Sequence, residues 1–325
     1  MLFLKDTIFW GETLFSVVVC SIEFVSICFL LLYLTPKMGG FMFGKKEKKK
    51  KNFKEIVLEN LRVILEAYVI AFVIRLLLLE AFAIPTGSMI PTIMIGDRII
   101  VIKPTYGINL PIVNIKMPGF YKPERGDIVV FKNPTYRSPG FIREFITLMT
   151  FSVINVDNEP KYFVKRVIGL PGDSIDIVSN ELFINGHKVE REFLKKENGW
   201  TYFREIVDNK SWVIKLKSEV LFDDGVLRNF SISNLYYLYD INSRLVLNFQ
   251  GVPESYLPNL DYFKEDILRI KESLKQNKIP EGYYFVMGDN RDESSDSRYW
   301  GLVPENLLIG KGVFRFWPFD RVGGL

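Results

Sequence analysis

One histidine, His187, and two cysteines, Cys20 and Cys28, are all that 325 residues offer of the side chains most often recruited as general bases, thiol nucleophiles and zinc ligands. Both cysteines lie in an apolar N-terminal stretch, so no disulfide can staple the rest of the chain, and buried thiols among Val, Ile and Leu read as packing residues. There is no His-Glu-x-x-His motif and no glycine-rich phosphate loop, which leaves no basis for expecting a metal or a cofactor. His187 follows an Asn-Gly pair in an exposed-looking hairpin turn with no orienting carboxylate beside it, a poor setting for a catalytic base. Excess positive charge is also scarce outside one place. Lys37, Lys45, Lys46, Lys48, Lys49, Lys50, Lys51 and Lys54 carry the net charge of +4, and without them acidic residues outnumber basic ones. A nucleic-acid groove is therefore not expected.

What the chain has is apolar length. Mean hydropathy is +0.11 although 25% of residues are charged, so the apolar residues must be concentrated. Residues 8–34 are almost continuously apolar, interrupted by Glu12 and Glu23, and about 20 such residues cross a bilayer as a helix. The lysine-rich loop follows, and apolar helical periodicity resumes toward residue 84, past Glu66, Arg75 and Glu80. Cytoplasmic loops are the ones enriched in Lys and Arg, so both termini and everything after Ile84 should lie on the opposite side of the membrane.

Beyond Ile84 the period changes to alternation. Residues 98–103, 127–131, 162–168 and 174–178 read as strands, 181–189 as a hairpin around Asn185-Gly186, and 283–287 and 310–317 as further strands. From 193 to 279 the signals weaken to aromatic strand candidates such as residues 236–239 and an amphipathic helix over 261–276 with Phe263, Ile267, Ile270 and Leu274 on one face. The predicted fold is two N-terminal transmembrane helices followed by a mainly antiparallel β catalytic domain with a β-rich accessory lobe. Its boundaries are 1–35 (first span), 36–60 (basic cytoplasmic loop), 61–84 (second span), 85–192 and 280–325 (catalytic domain), and 193–279 (lobe).

Chemistry is expected at residues 84–92, IPTGSMIPT, where two prolines fix φ on either side of Ser88 and hold its hydroxyl in a short turn. With histidine excluded, a base for Ser88 must be Lys, Asp or Glu. Lys165 lies within an otherwise apolar strand, where facing the core would desolvate it and favour the neutral amine. Periodicity alone equally allows Lys165 and Arg166 to straddle the strand, with the buried one paired to an acid.

Five ordered stretches carry a family resemblance. They are the second apolar segment with Arg75 and Glu80; residues 84–97 with Ile95-Gly-Asp97; RGDIVVF at 125–131; YFVKRVIGLPGD at 162–173; and GDNRDESSDSRYWG at 288–301. Together they resemble the type I signal peptidases, membrane-anchored endopeptidases with a Ser/Lys dyad. The resemblance implies Ser88 as nucleophile and Lys165 as general base. It implies Thr86 as an oxyanion donor beside the Ser88 N–H, Ser294 as the hydroxyl that orients the lysine, and Asp296, Arg298 and Arg166 as the supporting network. Phe82, Ile84, Ile99, Val130, Phe163 and Val164 resemble the lining of pockets for small side chains at positions −1 and −3 of a secretory preprotein. The implied setting is the bacterial cytoplasmic membrane, with the catalytic domain on the periplasmic side and the lipid bilayer and protein translocation machinery as partners. Phe314, Phe316, Trp317 and Phe319 resemble a membrane-facing surface. The insertion 135–161 is longer than expected, and the lobe lacks the cysteines some members pair there. A catalytically idle signal-peptide-binding protein is the alternative from another class, and a self-cleaving repressor-type Ser/Lys peptidase a third. Two spans and no DNA-binding segment speak against the last.

Overall fold

The computed structural model describes residues 52–110, 115–137, 140–150, 162–218, 229–239, 262–263 and 265–325. The expected first span with Glu12 and Glu23, most of the basic loop, and much of the 135–161 insertion lie outside the described residues. The chain divides into two compact units, Met1–Leu78 with Ser138–Asn158, and Leu79–Arg137 with Glu159–Leu325.

In the first unit a helix runs Phe53–Leu77 with Phe53, Leu58, Leu61 and Leu65 exposed, and Arg62 and Glu66 pair one turn apart at 2.8 Å. Among the described residues no helix is long and apolar enough to cross a membrane. The helix begins earlier and ends sooner than the 61–84 expected. Leu79–Ala83 is instead a strand, because its backbone pairs with Arg98–Ile102 from Leu79↔Ile102 to Ala83↔Arg98, and Glu80 meets Lys103 at 2.8 Å. The second helix of this unit, Phe141–Met149, is joined to the first where the Tyr68 hydroxyl donates to the Met149 carbonyl at 2.8 Å.

The second unit is built on an antiparallel sheet in the order Leu79–Ala83, Arg98–Ile102, Leu308–Trp317, Ile128–Lys132, Tyr162–Gly169, Tyr283–Met287, Val303–Pro304, with Gly323–Gly324 beside Leu308–Trp317. Alternation decides its faces. Val129, Phe131, Val167, Val286 and Trp300 pack in one cluster, and Ile84, Met89, Ile99, Ile128 and Val130 in another. Strand Tyr162–Gly169 pairs with Ile128–Lys132 over Tyr162–Arg166, and with Tyr283–Met287 only from Arg166 onward. One flank of Phe163–Lys165 is thus left without a strand partner among the described residues.

The expected Asn-Gly hairpin is present, with Asn185 at φ 53° and Gly186 at φ 77° between Glu181–Ile184 and His187–Lys188. The lobe differs from its expected outline. Its first part is a three-stranded meander, Glu190–Glu197, Trp200–Val207 and Lys210–Lys217. Residues 236–239, expected as a strand, belong to a 3₁₀ helix, Ile232–Tyr239, because Leu235 and Tyr239 bury against the helix Ile267–Lys275 and its neighbours rather than alternating across a sheet. That helix has Ile267, Ile270 and Leu274 buried as expected.

Candidate active site

Ser88 lies in a single 3₁₀ turn, Gly87–Met89, within the excursion that connects the first two strands of the sheet. Hydrogen bonds Ile84 N to Asp97 O and Gly96 N to Ile84 O, both 2.9 Å, close that excursion at its base. Met89 and Ile93, each no more than 1% exposed, sink its apolar side into the core and leave Ser88 part-buried at the surface. Thr86 precedes the turn in extended geometry, exposed.

The partner comes from the middle of strand Tyr162–Gly169. Lys165 is 4% exposed, lies over the Phe163 ring, and its Nζ donates to Ser88 Oγ at 2.7 Å. Of the two readings left open for Lys165 and Arg166, both prove buried, but only the arginine is paired to a carboxylate: Arg166 Nε and Nη2 donate to Asp289 at 2.8 and 2.7 Å. Burial pushes the Lys165 amine down to about 8, with Asp296 and Asp289 opposing and Arg298 assisting. A strong carboxylate partner would have kept it charged.

The third part is the loop after strand Tyr283–Met287. Because Met287 pairs with Arg166, the loop leaves the sheet beside Lys165. Arg298 donates to Asp296 through Nε and Nη2, at 2.7 and 2.8 Å, and Asp296 accepts the Gly288 N–H at 3.0 Å. Burial alone would raise the Asp296 carboxyl, but Arg298 and this N–H outweigh it and hold it below the ordinary range. Gly288 has no room for a side chain: a Cβ would collide with the Ser88 carbonyl oxygen and with Ser294. Ser294 is buried beside this crossing, yet its Oγ has no hydrogen-bond partner, and the hydroxyl that meets Lys165 is that of Ser88.

Two residues here were not singled out from the sequence. Asn290 donates through its backbone N–H to Ser88 O and through Nδ2 to Gly87 O, both at 3.0 Å, and so ties the serine turn to the loop. Asp289 receives both Arg166 and the Thr92 hydroxyl. Their signal was the density of polar residues at 288–298, which marks the loop but not the partner of each side chain.

The six expected lining residues do not form one surface. Ile99 and Val130 are fully buried, and Ile84 nearly so, in the cluster that Phe82 and Val164 flank. Phe163 points the other way, with Lys165 and Val167, into the cluster of Phe131 and Trp300. Successive strand residues face opposite sides, so Phe163 and Val164 cannot line the same wall.

Residues 57–317 match the family model described as signal peptidase, peptidase S26. The chain belongs to that family. It is 33% identical to a signal peptidase I of Buchnera aphidicola subsp. Acyrthosiphon pisum over 85% of this chain and 80% of that one. It is 30% identical to one of Pseudomonas fluorescens over 79% and 72%. A solved signal peptidase I from Enterococcus faecalis is 22% identical, covering 58% of this chain and 96% of that one at a TM-score of 0.28, an overlap that adds nothing to the fold. As an S26 peptidase the chain is a serine endopeptidase with a mainly antiparallel β catalytic domain.

Proposed function

We propose that this enzyme is anchored in the bacterial cytoplasmic membrane and removes N-terminal signal peptides from exported preproteins, using Ser88 as nucleophile and Lys165 as general base. The observation that carries the reading is the 2.7 Å approach of Lys165 Nζ to Ser88 Oγ from a buried, apolar position. A neutral amine there accepts the hydroxyl proton as Oγ attacks the scissile carbonyl. The Ser88 N–H and the Thr86 hydroxyl then serve the oxyanion, and the lysine ammonium returns its proton to the departing amine of the mature chain. Water takes the same route in reverse to release the signal peptide from Ser88.

The substrate enters as an extended strand along the flank of Phe163–Lys165 that has no strand partner among the described residues, where backbone pairing supplies affinity and alternate side chains meet pockets. Phe82 and Val164, partly accessible over the buried Ile84, narrow the space beside Ser88 and favour small residues at −1 and −3. Exposed Trp317 and Phe319 and the apolar surface of helix Phe53–Leu77 suit contact with the bilayer. Association with the translocation machinery follows from the substrate's route and from nothing else here. The test is cleavage of an Ala-x-Ala preprotein by the purified full chain in detergent beside Ser88→Ala. Loss in the variant is expected, and equal cleavage would overturn the assignment.

A further inference from the structure

The meander Glu190–Lys217 has no part in the chemistry above, yet one carboxylate in it is buried as deeply as any among the described residues. Glu205 is 0% exposed. It receives Arg291 Nη1 at 2.8 Å and Arg291 Nη2 more closely still, Arg191 Nε and Nη2 at 2.9 and 2.8 Å, and Trp212 Nε1 at 3.1 Å. Burial alone would raise this carboxyl, but the two guanidiniums prevail and hold it below the ordinary range. Its two arginines have different second partners. Arg191 donates to Asn180 O, within the hairpins, whereas Arg291 Nε donates to Gly288 O at 3.1 Å and Arg291 O accepts Arg298 Nη2 at 2.7 Å. Gly288 is the residue wedged against the Ser88 carbonyl. The same meander also grips the loop by its backbone: Lys215 N donates to Asp289 O at 2.9 Å and Lys217 N to Asp292 Oδ2 at 2.6 Å.

We propose that Glu205 is a positioning residue for catalysis, fixing Arg291 so that the Gly288 turn holds Ser88 and Lys165 in register, and that the meander serves as the brace of this loop. The inference rests on the Ser88/Lys165 reading. Its logic is geometric: a fork held at both ends by Glu205 and Gly288 O sets the loop's height over Ser88, and about 1 Å of misplacement costs on the order of a hundredfold in rate. A brace that merely stabilised the fold would shift melting without changing turnover of the folded enzyme.

The experiment uses the full chain in detergent and compares Glu205→Gln, Arg291→Lys and Arg191→Gln by kcat, KM and thermal melting. Glu205→Gln and Arg291→Lys should each lower kcat about ten- to a hundredfold with KM within about twofold, whereas Arg191→Gln should lower the melting temperature and leave kcat within about twofold. Combining Glu205→Gln with Arg291→Lys should cost little more than either alone, because both act through one contact. Arg291→Lys keeps the charge and answers the question if Glu205→Gln does not fold. Wild-type kcat in folded Arg291→Lys or Glu205→Gln, or an equal fall in kcat with Arg191→Gln, overturns the proposal. Ser88→Ala is assayed in parallel: if it stays active the dyad reading has failed, and if it is dead while folded Glu205→Gln keeps wild-type kcat, only the brace has failed.

Discussion

Two lysines of the catalytic unit, Lys165 buried and Lys116 half-buried, have amines that desolvation pushes down to about 8. In the short strand Ile115–Lys116, which pairs with Asn109–Leu110, Lys116 Nζ ends on the backbone carbonyls of Glu305 and Leu308, acceptors that hold a proton donor in place and offer it nothing to activate. In the middle of strand Tyr162–Gly169, Lys165 ends on a hydroxyl. Desolvation prepares an amine to be neutral, but the partner decides whether neutrality does anything. Lys116 is a latch between the strand Ile115–Lys116 and the Glu305–Leu307 turn, whereas the proposed reading has Lys165 take a proton.

The largest effect that would break this comparison is the charge-retaining swap. Lys165→Arg should lose activity by about a thousandfold or more, since guanidinium stays protonated and a general base contributes roughly a hundred- to ten-thousandfold. Lys116→Arg should cleave within about tenfold of wild type, so comparable losses in a preprotein assay would abolish the distinction.

Next in size is Gly288→Ala. The added methyl must displace either the Ser88 carbonyl or Ser294, and a fall of about ten- to a hundredfold in kcat with near-normal melting is expected. The pH profile then sharpens the contrast. A base with its pKa lowered to about 8 is charged and idle below that value, so kcat/KM should rise with pH through about 8 and fall about tenfold per unit on the acid side. Lys116→Met should leave that midpoint in place and show its loss in calorimetry instead, at about 1–3 kcal/mol for two carbonyls deprived of their donor. The smallest effect concerns Ser294→Ala. Its hydroxyl is buried without a partner, so the variant should melt no lower than wild type. A fall in kcat of about tenfold would place its role in the loaded enzyme alone.

The strands of the sheet and the serine turn were legible because their signals are local: alternation, two prolines and an Asn-Gly pair. So was the pairing of Ser88 with Lys165, once five motifs in order pointed to it. The outline of the second span failed at its end, since a run of apolar residues does not reveal where helix yields to strand, and only the partner Arg98–Ile102 decides that. The meander was underread although Asn198-Gly199 and Asp208-Asn209, at φ 50°, 79°, 49° and 64°, are turn signals as good as the Asn185-Gly186 pair that was used. Glu205 could not have been found that way. Its partner Arg291 lies 86 positions along the chain, and no periodicity marks a glutamate whose neighbours come from elsewhere.

The flank of Phe163–Lys165, without a strand partner among the described residues, also bears on when such an enzyme can act. A strand edge reads conformation before it reads sequence, because its N–H and C=O groups align only with a backbone already drawn out straight. An Ala-x-Ala stretch coiled in a helix, or committed to the sheet of a finished protein, presents nothing that this edge can grasp. On the proposed reading, folded mature proteins would thereby be spared without any need to discriminate their sequences. On the same reading a precursor would be cut only while the residues around its junction remain unwound, so that cleavage and the folding of the exported chain would compete for one interval of time.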